Sequence, residues 1–474
     1  MHIANIRKTL KAAAPAVLLP LLLGGCASFS ADGGFASVEQ VAKEKAGKDV
    51  SWQRSDTERD VAAKRVETLL ASPLSADDAV QLALLNNRGL QAAFYELRIS
   101  EGEFVQSGRI ANPGFSFGRL RQGSDLEIDR GLQFNIVQLL TMPYVQQMER
   151  QRFEQTKRNT AMQVLSLASE TRKAYYVAVA ADESMLYLQQ VKKAADAGAE
   201  LARRMQQAGN FNKLQQAREQ GFYADAALML ARAEQAQTRA REKLTRLLGL
   251  WGGQTAFVLP VKLPELPQAP GDMADLEQQA MTQRLDVQAA RLGTEQLSKN
   301  LGLSQATRFV NVLDIGAVRN SYRDQPVERG YQVTLELPLF DWGGARVAKA
   351  EALYMQALNR TAEIAVNARS EVREAYLVYR SSYDIARHYR DEILPLKKRI
   401  SEENQLRYNG MLIGVFDLLA DARSQILSVN GAIEAKRAFW LAQADLDMSL
   451  VGKPALGGGA GISASLQAEA EVGQ

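Results

Sequence analysis

The only cysteine of this 474-residue chain, Cys26, ends the apolar stretch AVLLPLLLGGC. Arg7, Lys8 and Lys11 precede an apolar core over residues 12–23, which is too short to span a bilayer because a span needs about 20 apolar residues. A basic segment, a short apolar core and small residues are together typical of an export signal. A thiol at the end of such a signal indicates covalent modification rather than redox or metal chemistry.

The sequence Leu23-Gly24-Gly25-Cys26 resembles the lipobox of bacterial lipoproteins. That resemblance implies removal of residues 1–25, a diacylglycerol group on the Cys26 sulfur and acylation of the new amine. Two or three acyl chains anchor a protein firmly without a transmembrane helix. The alternative interpretation is an ordinary signal peptide followed by a chance cysteine. Apart from this covalent lipid, no cofactor is expected.

Removal of residues 1–25 changes the net charge and the set of side chains available for chemistry. That segment holds three basic residues and no acidic one, so the formal net charge falls from +3 to zero and nothing indicates a nucleic-acid partner. His2 is lost with it, which leaves His388, in the helical segment IARHYRDE, as a solvated surface residue. A Cys/His zinc cluster and a Cys–His nucleophilic pair are then impossible. The sequence therefore predicts no metal site and no enzyme.

The rest of the chain contains an internal repeat with a period of about 200 residues. The segment 83–93 (ALLNNRGLQAA) matches 280–290 (AMTQRLDVQAA), and 169–179 (SETRKAYYVAV) matches 370–380 (SEVREAYLVYR). Prolines between the halves forbid helix and indicate an extended linker. The predicted organisation is a signal peptide (1–25), a lipidated, extended N-terminal segment (26–72), a first repeat (73–252), a Pro-rich linker (253–271), a second repeat (272–452) and a flexible Gly-rich tail (453–474).

Each repeat begins with a predicted helix of about thirty residues, Ser75–Ser107 or Asp272–Ala306. Ser75, with an acidic residue three positions later, resembles a capping start. A β-hairpin, a very long helix, a turn and a returning helix are predicted to follow. The turns fall at Gly209 in the first repeat and at Gly410 in the second.

The long helix of the first repeat is predicted from the absence of proline between Tyr144 and Gln207. At 1.5 Å per residue, such a helix is roughly 95 Å long. Alanines and other apolar residues recur every three or four positions along it and along the returning helix, and such seams need partner helices. A coiled-coil scaffold would show the same pattern.

Strands are predicted from alternation of apolar and polar residues. The clearest case is YQVTLELPLF (331–340), and LQFNIV (132–137) repeats the pattern. The segments PGFSFG (113–118) and VLDIGAV (312–318) are the expected partners. Aromatic residues at the strand margins suit a bilayer interface, although a soluble sheet would accept the same alternation.

Four strands do not close a barrel in a membrane, where about eight is the practical minimum. Open strand edges in lipid cost several kcal/mol for each unpaired backbone group. If the strands lie in a membrane, the chain must therefore oligomerise.

The lipobox, the duplicated unit and LPLFDWGGARVAKAEA (337–352) at a strand-to-helix junction together resemble the TolC family. This family comprises the outer-membrane factors of tripartite efflux pumps and type I secretion systems. The resemblance covers residues 73–452, and AGNFNKLQQAREQ (208–220) is similar to the heavy-metal and multidrug efflux branch. The first repeat departs from the family at LLTMPYVQQMER (139–150), which lacks the Phe-Asp-x-Gly-Gly turn.

The resemblance implies a mainly α-helical protein with a transmembrane β-barrel part. It implies a homotrimer whose 12-strand barrel, with four strands per chain, crosses the outer membrane of a Gram-negative bacterium and continues as a 12-helix periplasmic tunnel. The implied function is a passive duct for small toxic solutes (drugs or metal ions), opened by contact with a periplasmic adaptor protein and an inner-membrane RND-type pump. The turns at Gly209 and Gly410 would lie at the periplasmic tip.

The resemblance also implies a gate near that tip, within residues 409–425. Asp417 and Asp421 are four residues apart and share one face of a helix, so three copies of each would ring the lumen with negative charge. Phe416 would supply an apolar constriction. The alternative interpretation is that both aspartates are solvated acids in the first turns of a helix, where the helix dipole favours them.

Three functions stay open on the sequence. They are an efflux duct, a protein-secretion duct with the same fold, and a structural lipoprotein without a pore. The sequence does not identify the substrate.

Overall fold

A computed structural model describes residues 28–271, 275–310 and 312–454, apart from the side chains of Val415 and Phe416. Cys26, the predicted signal peptide 1–25 and residues 455–474 of the predicted tail lie outside the described residues. The described chain is mainly helical, with one four-stranded antiparallel sheet.

The chain divides into two compact units. The described residues of each unit come from three segments: Met1–Val38, Ala93–Thr160 and Asp286–Ala365 in the first, and Glu39–Ala92, Ala161–Leu285 and Val366–Gln474 in the second.

The helices and strands of the described residues are numbered in chain order. The helices are α1 (Phe35–Val41), α2 (Asp56–Leu70), α3 (Ala76–Asn86), α4 (Arg88–Ser107), α5 (Ile136–Gln207), α6 (Lys213–Leu248), α7 (Leu276–Gln283), α8 (Leu285–Ala306), α9 (Gly344–His388), α10 (Leu394–Asn409) and α11 (Val415–Val451). The strands are β1 (Gly114–Gln122), β2 (Asp125–Asn135), β3 (Leu313–Tyr322) and β4 (Glu328–Leu335). One π-helical turn, Tyr389–Ile393, joins α9 to α10.

The long helix α5 begins earlier than predicted and contains Pro143. The Asn135 side chain accepts a hydrogen bond from the Gln138 backbone N–H at 2.7 Å, which caps the helix and sets its start at Ile136. Ile136, which was predicted to lie in a strand, is therefore the first residue of this helix. None of the helices within the described ranges combines the length and the apolar character that a membrane span requires.

The first helix of each repeat was predicted as one element, and in the structure each is a pair. Asn87 separates α3 from α4, and Arg284 separates α7 from α8, both with an extended backbone. The Asn87 side chain accepts a bond from the Leu90 N–H and so starts a new helix. The predicted start is confirmed, since Ser75 and Asp78 form a capping box at α3.

The segment 26–72 was predicted to be extended, and this is wrong for its described part, which contains α1 and α2. A capping box of Ser55 and Glu58 starts α2. Ala62 and Val66 are buried at helical spacing along one face, so burial stabilises the helix.

Strand β4 is shorter than its alternation predicted, because it ends at Leu335. Pro338 has no N–H to donate to a strand ladder, so Leu337 and Leu339 lie beyond the strand.

The Pro-rich linker forms no α-helix and is held by side chains of the second unit. The Tyr383 hydroxyl donates to the Gln268 carbonyl at 2.7 Å, and the Trp440 indole N–H donates to the Pro264 carbonyl at 3.1 Å. Leu263 of the linker is buried in the same core as α3, α5 and α6. These bonds satisfy backbone oxygens that have no ladder or helix partner.

Candidate functional site

The sheet has the strand order β1-β2-β3-β4, and every pair is antiparallel. Strands β1 and β4 each have one neighbour among the described residues, so both outer edges carry unpaired backbone groups. The two hairpin turns follow Gln122 and Tyr322, at the same end of the sheet.

One face of the sheet is apolar and exposed. Residues directly opposite each other in a ladder point to the same face, and Phe115, Leu132, Ala317 and Tyr331 form one such row. The exposed fraction of the large residues on this face lies between 41% and 83%. We define the apolar face by Phe115, Phe117, Leu132, Phe134, Ile315, Tyr331, Val333 and Leu335.

The opposite face is polar and carries acidic residues. Gly131 stands between Ser116 and Val318 in one row, and Glu127 and Asp129 follow toward the hairpin turns. Glu127 stands directly opposite Tyr322 in the β2–β3 ladder. We call this surface the polar face. The sheet thus has one surface suited to lipid and one suited to water.

Asp417 lies in the first turn of α11 and is exposed. Its Oδ2 accepts a hydrogen bond from the Gly414 backbone N–H at 3.2 Å, so the carboxylate caps the helix. This role agrees with the alternative interpretation made for the sequence.

Asp421, one turn later, has different surroundings, because only 9% of its surface is exposed. Its Oδ2 is buried without a hydrogen-bond partner in the described part of the chain. The two aspartates therefore share a helix but not an environment in this protomer. The side chain of Phe416 lies outside the described part.

A partly buried ion pair near these residues was not predicted from the sequence. Arg423 of α11 contacts Glu219 of α6 at 3.0 Å, and the Glu219 side chain is 3% exposed. The Arg423 guanidinium also lies 4.4 Å from the centre of the Phe222 ring. The paired residues are 204 positions apart, and the only sequence signal was an acid within an alanine-rich seam. The pair fixes α11 against α6.

The two predicted turns are built differently. Gly209 has φ of 79°, and the following N–H groups of Asn210 and Phe211 donate to the Met205 carbonyl. Gly410 has φ of −81°, and Met411 takes the positive φ of 56° instead. Both glycines thus lie in the turns, as their positions in the sequence suggested.

Charged residues flank the first turn. Arg203 and Arg204 both hydrogen-bond Glu200 and lower the pKa of its carboxyl to about 2. This exposed group therefore stays ionised at any ordinary pH. Among the residues that the structure describes, no group of three or more His, Cys, Asp or Glu side chains is placed to hold a metal ion.

The chain is similar in structure to several outer-membrane channels. The CmeC outer membrane channel of Campylobacter jejuni has a TM-score of 0.70 at 17% identity, and the match covers 79% of this chain and 85% of that one. The outer-membrane channel OprN has a TM-score of 0.66 at 16% identity, and the match covers 86% of this chain and 95% of that one. The open-state MtrE channel of Neisseria gonorrhoeae has a TM-score of 0.65 at 18% identity, and the match covers 79% of this chain and 88% of that one.

Comparison with family models and with curated protein sequences gives no match. The structural likeness nevertheless confirms the resemblance seen in the sequence: the chain has the fold of the TolC-family outer-membrane channels. The similar proteins are channels and not enzymes, in agreement with the expectation that the chain performs no catalysis.

Proposed function

We propose that this chain is the outer-membrane duct of a tripartite efflux system that exports small toxic solutes, drugs or metal ions. The duct is a homotrimer. Three sheets form a 12-strand barrel, and the long helices form a 12-helix periplasmic tunnel. The pore is passive and is opened by contact with a periplasmic adaptor protein and an inner-membrane RND-type pump. The outer-membrane channels of the same fold support this proposal.

The observation that carries the proposal is a sheet with an exposed apolar face and two edge strands that each have one neighbour. Backbone groups at an open edge are costly in lipid, and pairing β1 of one chain with β4 of the next removes every edge. Twelve strands exceed the practical minimum for closure, which is about eight. The polar face then lines a water-filled lumen, and the apolar face meets lipid.

A lipid on Cys26 anchors the duct in the outer membrane of a Gram-negative bacterium under this proposal. Cys26→Ser is expected to abolish palmitate labelling and to leave unprocessed precursor in the inner membrane. Ser28→Ala, two residues away, serves as the control and should label normally. Normal labelling and maturation of Cys26→Ser would refute the lipid anchor.

The gate is proposed at the start of α11, formed by Asp417, Asp421 and Phe416 from three chains. The exposed carboxylate of Asp417 supports a ring of negative charge. The Arg423–Glu219 pair holds the helix that bears this ring, so opening has to move α11 against this partly buried contact.

Identification of the partners tests efflux against secretion. The full chain, purified from its native membrane after mild cross-linking, is expected to bring down an adaptor and an RND-type pump. A strain that lacks the chain should become more sensitive to solutes exported by that pump. Recovery of an ABC-type secretion partner, with unchanged sensitivity to toxic solutes, would overturn the efflux function and leave the duct intact.

A further inference from the structure

Three arginines stand directly opposite one another on three neighbouring strands. Arg130 of β2 pairs with Arg319 of β3, and Arg319 pairs with Arg329 of β4. We call these residues the arginine row. Neighbouring strands are about 4.8 Å apart and directly opposite residues share a face, so three guanidinium groups leave the sheet side by side.

The arginine row lies on the apolar face. Phe117 is the fourth member of the same row, paired with Arg130, and Tyr331 is two positions from Arg329 along β4. All three arginines are exposed. A basic band therefore borders an exposed apolar surface.

The acids of this part of the sheet do not neutralise the row. Asp129 and Glu328 neighbour the arginines in sequence, but alternation places both on the polar face. Within the described ranges, none of the three guanidinium groups forms an ion pair with a carboxylate. Like charges directly opposite one another destabilise a sheet, and arginine does not lose its charge. An anion from outside the chain would relieve this repulsion.

The position of the row along the strands identifies the source of that anion. Arg319 is three residues from the end of β3 that leads into a hairpin turn, and Arg329 is the second residue of β4 after that turn. The rows of Leu132 and Phe134 lie farther from the turns. Along this face of the sheet, apolar residues are therefore followed by charged residues toward the hairpin turns. In a membrane, this order places the apolar band among acyl chains and the arginines at the level of the headgroups.

We propose that the arginine row binds phosphate groups of lipids in the outer leaflet of the outer membrane. The inference rests on the proposed function, because it requires the apolar face to meet lipid. Guanidinium groups bind phosphate in bidentate geometry, and a phosphate between neighbouring arginines replaces their repulsion by charge-assisted hydrogen bonds. The adjoining apolar face holds the acyl chains of the same lipid, which free phosphate does not have.

The test uses the purified full-length protein in detergent, titrated with bis-phosphorylated lipid A and monitored by native mass spectrometry of the bound lipid. Dephosphorylated lipid A and inorganic phosphate are the comparison ligands. The variant Arg130→Gln/Arg319→Gln/Arg329→Gln is expected to bind bis-phosphorylated lipid A at least tenfold more weakly than the wild type. Wild type should bind dephosphorylated lipid A about as weakly as the variant binds the phosphorylated form, since phosphate is the recognised group.

A control variant, Arg65→Gln/Arg232→Gln/Arg239→Gln, removes three exposed arginines from α2 and α6 and makes the same change in charge. Its affinity should stay within twofold of the wild type. If the single change Arg319→Gln at the centre of the row has no effect and the triple variant binds like the wild type, the inference is wrong. It is also wrong if the control loses affinity equally, or if millimolar inorganic phosphate displaces the lipid.

Conductance measured on the same samples separates this inference from the proposed function. If wild-type protein forms channels but shows no preference for phosphorylated lipid, the proposed lipid binding by the arginine row is wrong and the proposed duct stands. Wild-type protein that forms no channel overturns the proposed function, whatever it binds.

Discussion

Asp417 and Asp421 show how one helix gives two identical side chains different properties. Asp417 is exposed and accepts a bond from the Gly414 N–H, whereas Asp421 is 9% exposed and has a buried oxygen without a partner in the described chain. A buried carboxylate oxygen without a hydrogen bond is costly. In this conformation Asp417 is exposed to solvent and Asp421 is largely buried.

The gate is tested by cation block of single channels. Asp417→Ala is expected to remove most of the conductance decrease caused by divalent cations added from the periplasmic side, because a ring of carboxylates attracts them. Asp421→Ala should change the block little because the Asp421 side chain is largely buried, and the double variant should have the weakest cation preference. The control Glu402→Ala/Glu403→Ala removes two acids from α10 and should conduct like the wild type. If divalent cations block the double variant as strongly as the wild type, Asp417 and Asp421 do not form the gate.

The helix ends are fixed by backbone conformation as well as by side chains. Gly209 and Gly249 both end long helices with positive φ, 79° and 67°. A Cβ at Gly209 would meet nothing within 4 Å, whereas a Cβ at Gly249 would lie 2.8 Å from the Asn86 carbonyl oxygen. The first turn is therefore open, and the second is packed against α3.

This difference predicts that a Gly→Ala substitution lowers the stability of the protein by different amounts at the two positions. Gly209→Ala is expected to destabilise the protein by about 1–2 kcal/mol through the left-handed conformation alone. Gly249→Ala adds a backbone clash, which costs about 1–3 kcal/mol more. Thermal unfolding of the two purified variants, monitored by circular dichroism, compares them directly. Equal losses of stability would show that the contact with Asn86 relaxes without cost.

The helices and strands were largely predictable because their signals are local. Ser75 and Asp78 are three residues apart, and the alternation that predicts β4 lies within ten residues. The breaks at Asn87 and Arg284 were not predicted. Asn87 caps α4 locally, but other contacts at both breaks are distant in sequence. The Asn87 amide donates to the Leu247 carbonyl, and Arg284 lies 2.7 Å from Glu371.

The parts of the candidate site that were missed likewise depend on contacts between distant segments of the chain. The turns at Gly209 and Gly410 follow from the length of the helical pattern. The Arg423–Glu219 pair and the arginine row instead depend on which segments are neighbours in the fold, and a single sequence does not give that register.

At the scale of the whole molecule, the sheet supports the proposed trimer. Its edges β1 and β4 each lack a second neighbour among the described residues, and its apolar face is exposed. Three copies that pair edge to edge would satisfy the backbone and enclose the polar face. The proposed lumen, gate ring and lipid-facing surface would all depend on that assembly.

Single-channel conductance in planar bilayers tests this central claim most directly. Purified wild-type protein is expected to give discrete conductance steps. Val333→Arg, on the apolar face, should insert poorly because a charge on a lipid-facing strand costs about 2–4 kcal/mol at the bilayer midplane. Gln332→Arg, the neighbouring residue on the polar face, should insert normally and conduct with altered ion selectivity. Absence of conductance steps from folded wild-type protein, or equal insertion of the two variants, would contradict the account.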